Sequence, residues 1–112
     1  MSDRTSETLG RFEAGVAQLL SDGIAVSHVV RTLAVIPAYN ESDTIGTVID
    51  GTGEYVDRVV VVDDGSADET ARIARDHGAQ VLEHVFNTGV GGAVRTGYRY
   101  AIEHDFDFVV QV

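Results

Sequence analysis

A chain of 112 residues is long enough for one compact domain with a modest core, and no more. Its formal net charge of -10 comes from 18 acidic residues against 8 basic ones. That balance excludes a generic nucleic-acid binder, which needs a basic face. The lack of cysteine excludes disulfides and thiolate metal sites.

No apolar run approaches the ~18 residues of a membrane span. The first residues carry Asp3, Glu7 and Glu13 with no apolar core, so they do not read as a secretory signal. The cytoplasm is the expected location. Lysine is absent, and all basic residues are arginine. Acid excess together with lysine absence reads as adaptation to high salt, where carboxylates hold water and screening removes their repulsion.

Residues 1–30 form an N-terminal extension. Leu9, Phe12, Val16, Leu19 and Leu20 recur at spacings of three and four, which predicts an amphipathic helix ending near Asp22-Gly23. From residue 31 the pattern alternates. Residues 32–38 (TLAVIPA) read as a strand closed by Pro37, and 42–50 as a helix with Ser42 or Asp43 as its N-cap. Residues 58–62 (RVVVV) read as a strand buried on both faces, the habit of a parallel sheet. A helix follows over 67–77, ending at Gly78, then a short strand over 80–83. A helix over 91–103 comes after a glycine-rich loop, and residues 106–112 begin a fourth strand. The expected fold class is α/β, a parallel sheet with flanking helices over residues 31–112.

In such a sheet, ligands bind where the strands end. The first strand is followed by Ala38-Tyr39-Asn40-Glu41, the second by Asp63-Asp64-Gly65-Ser66 and the third by Asn87-Thr88-Gly89-Val90-Gly91-Gly92. All three polar or glycine-rich segments should share one edge. Tyr39 can cover a nucleobase, and Pro37 stiffens its turn. Glu41, Asp63 and Asp64 can accept hydrogen bonds from base N–H groups or ribose hydroxyls. The glycine loop at Gly89 and Gly91 permits close backbone approach, and Arg95 one turn into the helix can reach a phosphate. Taken alone, Asp63-Asp64-Gly65-Ser66 fits a helix-capping turn equally well. The fragment Gly89-x-Gly91-x-x-Val94 is only part of a dinucleotide fingerprint and follows the wrong strand for NAD.

Three stretches together resemble the family-2 glycosyltransferases of GT-A fold: AVIPAYNE at 34–41, VVVVDDGSADET at 59–70 and NTGVGGAVRTGY at 87–98. The match runs from Leu33 to Val112 and is strongest to dolichyl-phosphate sugar synthases. Those enzymes use UDP-glucose or GDP-mannose and transfer the sugar to a polyprenyl phosphate with inversion. The resemblance implies the nucleotide-binding half of such an enzyme. Pro37, Ala38, Tyr39, Glu41 and Asp64 correspond to nucleotide contacts, joined by Asp63, Gly89, Gly91 and Arg95. It implies a nucleotide-diphosphate sugar and a lipid phosphate as partners, and work at the cytoplasmic membrane face. No catalytic residue is assigned within the chain.

The resemblance also implies Mg²⁺ or Mn²⁺, held by an Asp-x-Asp motif expected just after Val112. The chain is therefore expected to be inactive alone, marginally stable and prone to self-association through an open sheet edge. Asp105-Phe106-Asp107 has the same spelling but precedes the fourth strand, so it should lie at the opposite edge. His28, His77, His84 and His104 show no metal spacing and read as structural or surface residues. Two rival readings are a non-catalytic nucleotide-binding remnant and a nucleotidyltransferase. The latter needs a glycine-rich basic loop after the first strand, where AYNE stands.

If the acidic surface is a salt adaptation, thermal stability should rise from low to molar NaCl. A midpoint that falls over that range, read by circular dichroism, contradicts the assignment.

Overall fold

The computed structural model describes residues 29–112. The helix expected around Leu9 to Leu20 lies outside the described residues. Seven elements alternate along the chain: β1 (Thr32–Ala38), α1 (Ile45–Gly53), β2 (Arg58–Asp63), α2 (Thr70–Asp76), β3 (Gln80–Glu83), α3 (Gly89–Glu103) and β4 (Phe108–Gln111). The strands pair in parallel in the order β3-β2-β1-β4. The α/β parallel sheet expected from the sequence is the fold observed. Strand order reverses at β1, with β2 and β3 on one side and β4 on the other. The crevice beyond the carboxyl end of β1 is therefore the natural ligand position.

Strand bounds follow the sequence pattern closely, and helix starts do not. The helix expected over 42–50 begins at Ile45, because residues 42–44 form a turn on the Glu41 carbonyl. Neither Ser42 nor Asp43 caps it; Thr44 occupies that position without a side-chain cap bond. The helix expected over 67–77 is only Thr70–Asp76, because Ala67 and Asp68 are drawn into contacts with the first loop. β4 starts at Phe108 rather than Phe106. Asp105 takes a left-handed φ of 57° there and turns the chain into the strand.

Side chains alternate across the sheet, so each strand feeds two cores. Ala34, Ile36, Ala38, Val59 and Val61 pack under α1 and α2 through Ile45, Ile49, Ala71 and Ala74. Leu33, Val35, Val60 and Val62 pack under α3 through Ala93, Tyr100 and Ala101. The same alternation places Asp63 on the α1/α2 side and Asp64 on the α3 side.

Helix α3 lies close to the sheet because position 97 is glycine. A Cβ there would sit 2.2 Å from Val35 Cγ1, which is fully buried.

At the amino edge, Asp107 accepts a hydrogen bond from the Arg31 backbone N–H at 2.8 Å. The Arg31 guanidinium donates to the His104 carbonyl and lies 4.3 Å from the Phe106 ring centre. Asp105-Phe106-Asp107 thus belongs to the edge opposite the three loops. Among the described residues no helix is long and apolar enough to cross a membrane.

Two glycine substitutions should move stability in opposite directions. Gly97→Ala should destabilise by about 1–3 kcal/mol, because overpacking outweighs the gain in helix propensity. Gly51→Ala meets no atom within 4 Å and should stabilise by about 0.5–1 kcal/mol in α1. Urea unfolding of both variants checks the pair.

Candidate functional site

The three loops after β1, β2 and β3 are tied to one another by side-chain-to-backbone hydrogen bonds. Asn40 takes a left-handed φ of 52°, a conformation that asparagine tolerates better than most residues. Its backbone N–H donates to Ser66 Oγ at 2.8 Å, and its Oδ1 accepts from the Ala67 N–H at 2.8 Å. The Glu41 N–H donates to Thr70 Oγ1 at 2.9 Å, and the Ser42 N–H to Asp68 Oδ2 at 3.2 Å. These bonds lace the first loop to the second.

The second and third loops meet at Asp64. Its Oδ1 accepts from His84 Nδ1, from the Thr88 N–H and from Thr88 Oγ1, each at 2.8 Å. Its Oδ2 accepts from the Gly89 N–H at 2.7 Å. Gly89 opens α3 with a φ of 83°, a conformation suited to glycine. Burial pushes the Asp64 carboxyl up. The bonds from His84, Thr88 and Gly89 outweigh it and bring the pKa down from 3.8 to about 2. Asp64 is therefore ionised at neutral pH. Gly65 completes the junction. Its φ is 82°, and a Cβ would lie 3.0 Å from the Asn87 nitrogen.

Beyond the end of β1 lies a hollow of about 130 Å³, lined by Pro37, Ala38, Tyr39, Glu41, Asp64, Val90 and Ala93. Five of the nine residues expected at the site line it. Tyr39 is half exposed and presents its ring to solvent. Gly89 and Gly91 stand in the first turn of α3, beside Val90 and short of Arg95. By helix geometry the N–H groups of Val90 and Gly91 have no partner within the helix. They lie where an anion is favoured by the helix dipole.

Asp63 and Arg95 do not line the hollow. Asp63 is buried on the other face and accepts from the Ser66 N–H at 3.1 Å. That is the turn-forming role its sequence left open. Arg95 is exposed, ~9 Å along the helix axis from Gly89. Sequence reasoning missed Val90, Ala93 and His84. His84 directly follows β3, so its place in the chain already put it on the ligand edge.

A larger hollow of about 440 Å³ lies at the amino edge, among Asp50, Asp57, Arg58, His77 and Gly78. Its polar groups are committed to one another or to the core. Asp57 Oδ2 accepts from Thr32, His77 pairs with Asp50 at 2.9 Å, and Arg58 donates to the Tyr100 hydroxyl at 2.8 Å. The smaller hollow combines an exposed aromatic, carboxylates and a helix amino terminus, and is the better candidate.

A divalent cation does not fit the described residues. Among them no group of three or more His, Asp or Glu side chains could hold a metal. Asp64, the acidic residue most enclosed at the hollow, already accepts four hydrogen bonds.

Comparison with known proteins gives this geometry its context. The family model for glycosyl transferase family 2 matches residues 33–104. Undecaprenyl-phosphate mannosyltransferase of Micrococcus luteus is 36% identical over 92 residues, which cover 74% of this chain and 37% of that protein. Dolichyl-phosphate beta-glucosyltransferase of Drosophila melanogaster is 38% identical over 81 residues, covering 56% of this chain and 25% of that protein. Glucosyl-3-phosphoglycerate synthase of Mycobacterium tuberculosis was solved with Mn²⁺, UDP and glucosyl-3-phosphoglycerate. It superposes with a TM-score of 0.62 and 31% identity, covering 74% of this chain and 33% of that one. The chain thus spans only about a quarter to two fifths of the length of these proteins.

The Asp64 junction should be sensitive to acid. Its depressed pKa contributes stability that is present above pH ~4 and lost as pH falls toward ~2. Asp68 is held at about 2 by the Thr70 hydroxyl and adds to the same loss. Asp64→Asn should cost about 1–3 kcal/mol at neutral pH and show a shallower fall below pH ~4 than the wild type. Urea unfolding across that range measures both, and parallel acid profiles would contradict the assignment.

Proposed function

This chain belongs to glycosyl transferase family 2, and from that premise we propose that its carboxyl-edge hollow binds the nucleoside diphosphate part of a nucleotide-sugar donor. The observation that carries the proposal is the convergence of Tyr39, Glu41, Asp64 and the α3 amino terminus around one hollow. The hollow is smaller than the ~300–1,000 Å³ usual for a whole small ligand, so it suits one portion of the donor.

Each group has a role in this reading. Tyr39 covers the base, and Pro37 and Ala38 shape the wall beneath it. Glu41 accepts hydrogen bonds from base N–H groups or ribose hydroxyls, and Asp64, whose Oδ1 is filled by internal bonds, offers at most the second lone pair of Oδ2. The free N–H groups at Val90 and Gly91 face the diphosphate. Asp63 acts indirectly, by holding the turn that follows β2.

The reaction proposed for the whole domain is inverting transfer of the sugar, of the UDP-glucose or GDP-mannose type. Relatives named for undecaprenyl-phosphate and dolichyl-phosphate transfer support a lipid phosphate acceptor. Such an acceptor would place the reaction at the cytoplasmic membrane face. A phosphate nucleophile is already anionic, so no general base is required of these residues. The Mn²⁺ complex of the mycobacterial synthase supports Mg²⁺ or Mn²⁺ as companion of the diphosphate. The contribution proposed for the described residues is binding and orientation, and sugar transfer by this chain alone is not expected.

Calorimetric titration with UDP and GDP, each with and without Mn²⁺, tests the reading. One of the two should bind in preference, with little dependence on metal. Tyr39→Ala should weaken it about tenfold or more, matching the loss of one base–aromatic stack. Equal and negligible binding of both nucleotides would overturn the proposal.

A further inference from the structure

His84 lies between the nucleotide edge and the second turn of α3. Its Nδ1 is 2.8 Å from Asp64 Oδ1, and its Nε2 is 2.8 Å from Thr96 Oγ1. Thr96 Oγ1 also lies 3.1 Å from the Gly92 carbonyl, one turn back. The His84 side chain is 18% exposed and that of Asp64 5%. The pair is therefore enclosed, and its hydrogen bonds are not competing with bulk water.

The partners decide where the protons are. Asp64 is ionised and can only accept, so His84 Nδ1 must carry a proton. The Thr96 hydroxyl has a single hydrogen. With neutral histidine, that hydrogen goes to Nε2, and the bond to Gly92 is given up. With both ring nitrogens protonated, Nε2 donates to Thr96, and Thr96 is free to donate to the Gly92 carbonyl. Either state requires the Nδ1–H form. The groups that face the imidazole are the Asp64 carboxylate from the end of β2 and the neutral Thr88 and Thr96 hydroxyls from the start and second turn of α3.

Asp64 in turn holds the Thr88 and Gly89 N–H groups that start α3. We propose that His84 is a positioning residue for the nucleotide site: through Asp64 on one side and Thr96 on the other, it fixes the turn that presents the α3 amino terminus to the hollow. The role in nucleotide binding rests on the function proposed above, and the role in fixing the turn does not.

Two measurements on the full chain separate them. The first needs no ligand and no variant. Long-range ¹H–¹⁵N spectra at a pH above the histidine titration range should place the remaining His84 proton on Nδ1. A proton on Nε2, the more common form in free histidine, would overturn the proposal.

The second compares His84→Asn, whose amide nitrogen falls near the place of Nδ1, with His84→Gln, whose amide nitrogen falls near the place of Nε2. His84→Asn should keep the Asp64 bond and near-native protection of the Thr88 and Gly89 amides against hydrogen exchange. His84→Gln should lose about tenfold in that protection, the effect of one hydrogen bond to a charged acceptor. UDP or GDP affinity should fall in parallel for His84→Gln and be kept by His84→Asn. Equal protection in both variants and the wild type would overturn the positioning role. Protection that responds as stated, in a chain that binds neither nucleotide, would uphold the positioning role and defeat the nucleotide reading instead.

Discussion

A buried carboxylate at the end of a strand is costly unless every lone pair facing the protein is used. Asp64 meets that condition by drawing in the chain that follows β3. Its four hydrogen bonds take the His84 ring, the Thr88 hydroxyl and N–H, and the first N–H of α3. The third loop is therefore placed by the second. The second loop is likewise fastened to the first through Asn40, Glu41 and Ser42. Three segments distant in sequence become one surface because each supplies what the others need.

The core beneath makes this arrangement possible. Valines at 59–62 alternate between two hydrophobic layers, and the adjacent aspartates inherit that alternation. Asp63 is turned to the α1/α2 side and builds a turn. Asp64 is turned to the α3 side and meets the loop. Two neighbouring carboxylates of the same kind thus do different work because a strand has a period of two. The glycine at 97 lets α3 settle against Val35, which brings Val90 and Ala93 to the rim of the hollow.

Much of this was legible in the sequence. The bounds of β1 and β3 follow from apolar runs closed by turn residues, and the common edge follows from asking what comes after each strand. Helix starts were not legible. The sequence pattern assigns Ser42 and Ala67 to helices, but their N–H groups are held by Asp68 and Asn40, more than 25 residues away, and no local pattern records such bonds. Arg95 and Asp63 were assigned to the site by motif, and position and strand parity set them apart from its wall. Val90 had no role of its own within the glycine segment, and His84 read as a structural or surface residue. Only the folded arrangement shows one lining the hollow and the other completing the Asp64 junction.

The proposed nucleotide site is at the carboxyl edge, although the larger hollow is at the amino edge. Backbone amide shift mapping during addition of UDP or GDP tests it most directly. Perturbations should concentrate at Tyr39, Glu41, Asp64, Val90 and Ala93, with Asp50, Arg58, His77 and Gly78 unmoved. Shifts centred on the latter group would contradict it.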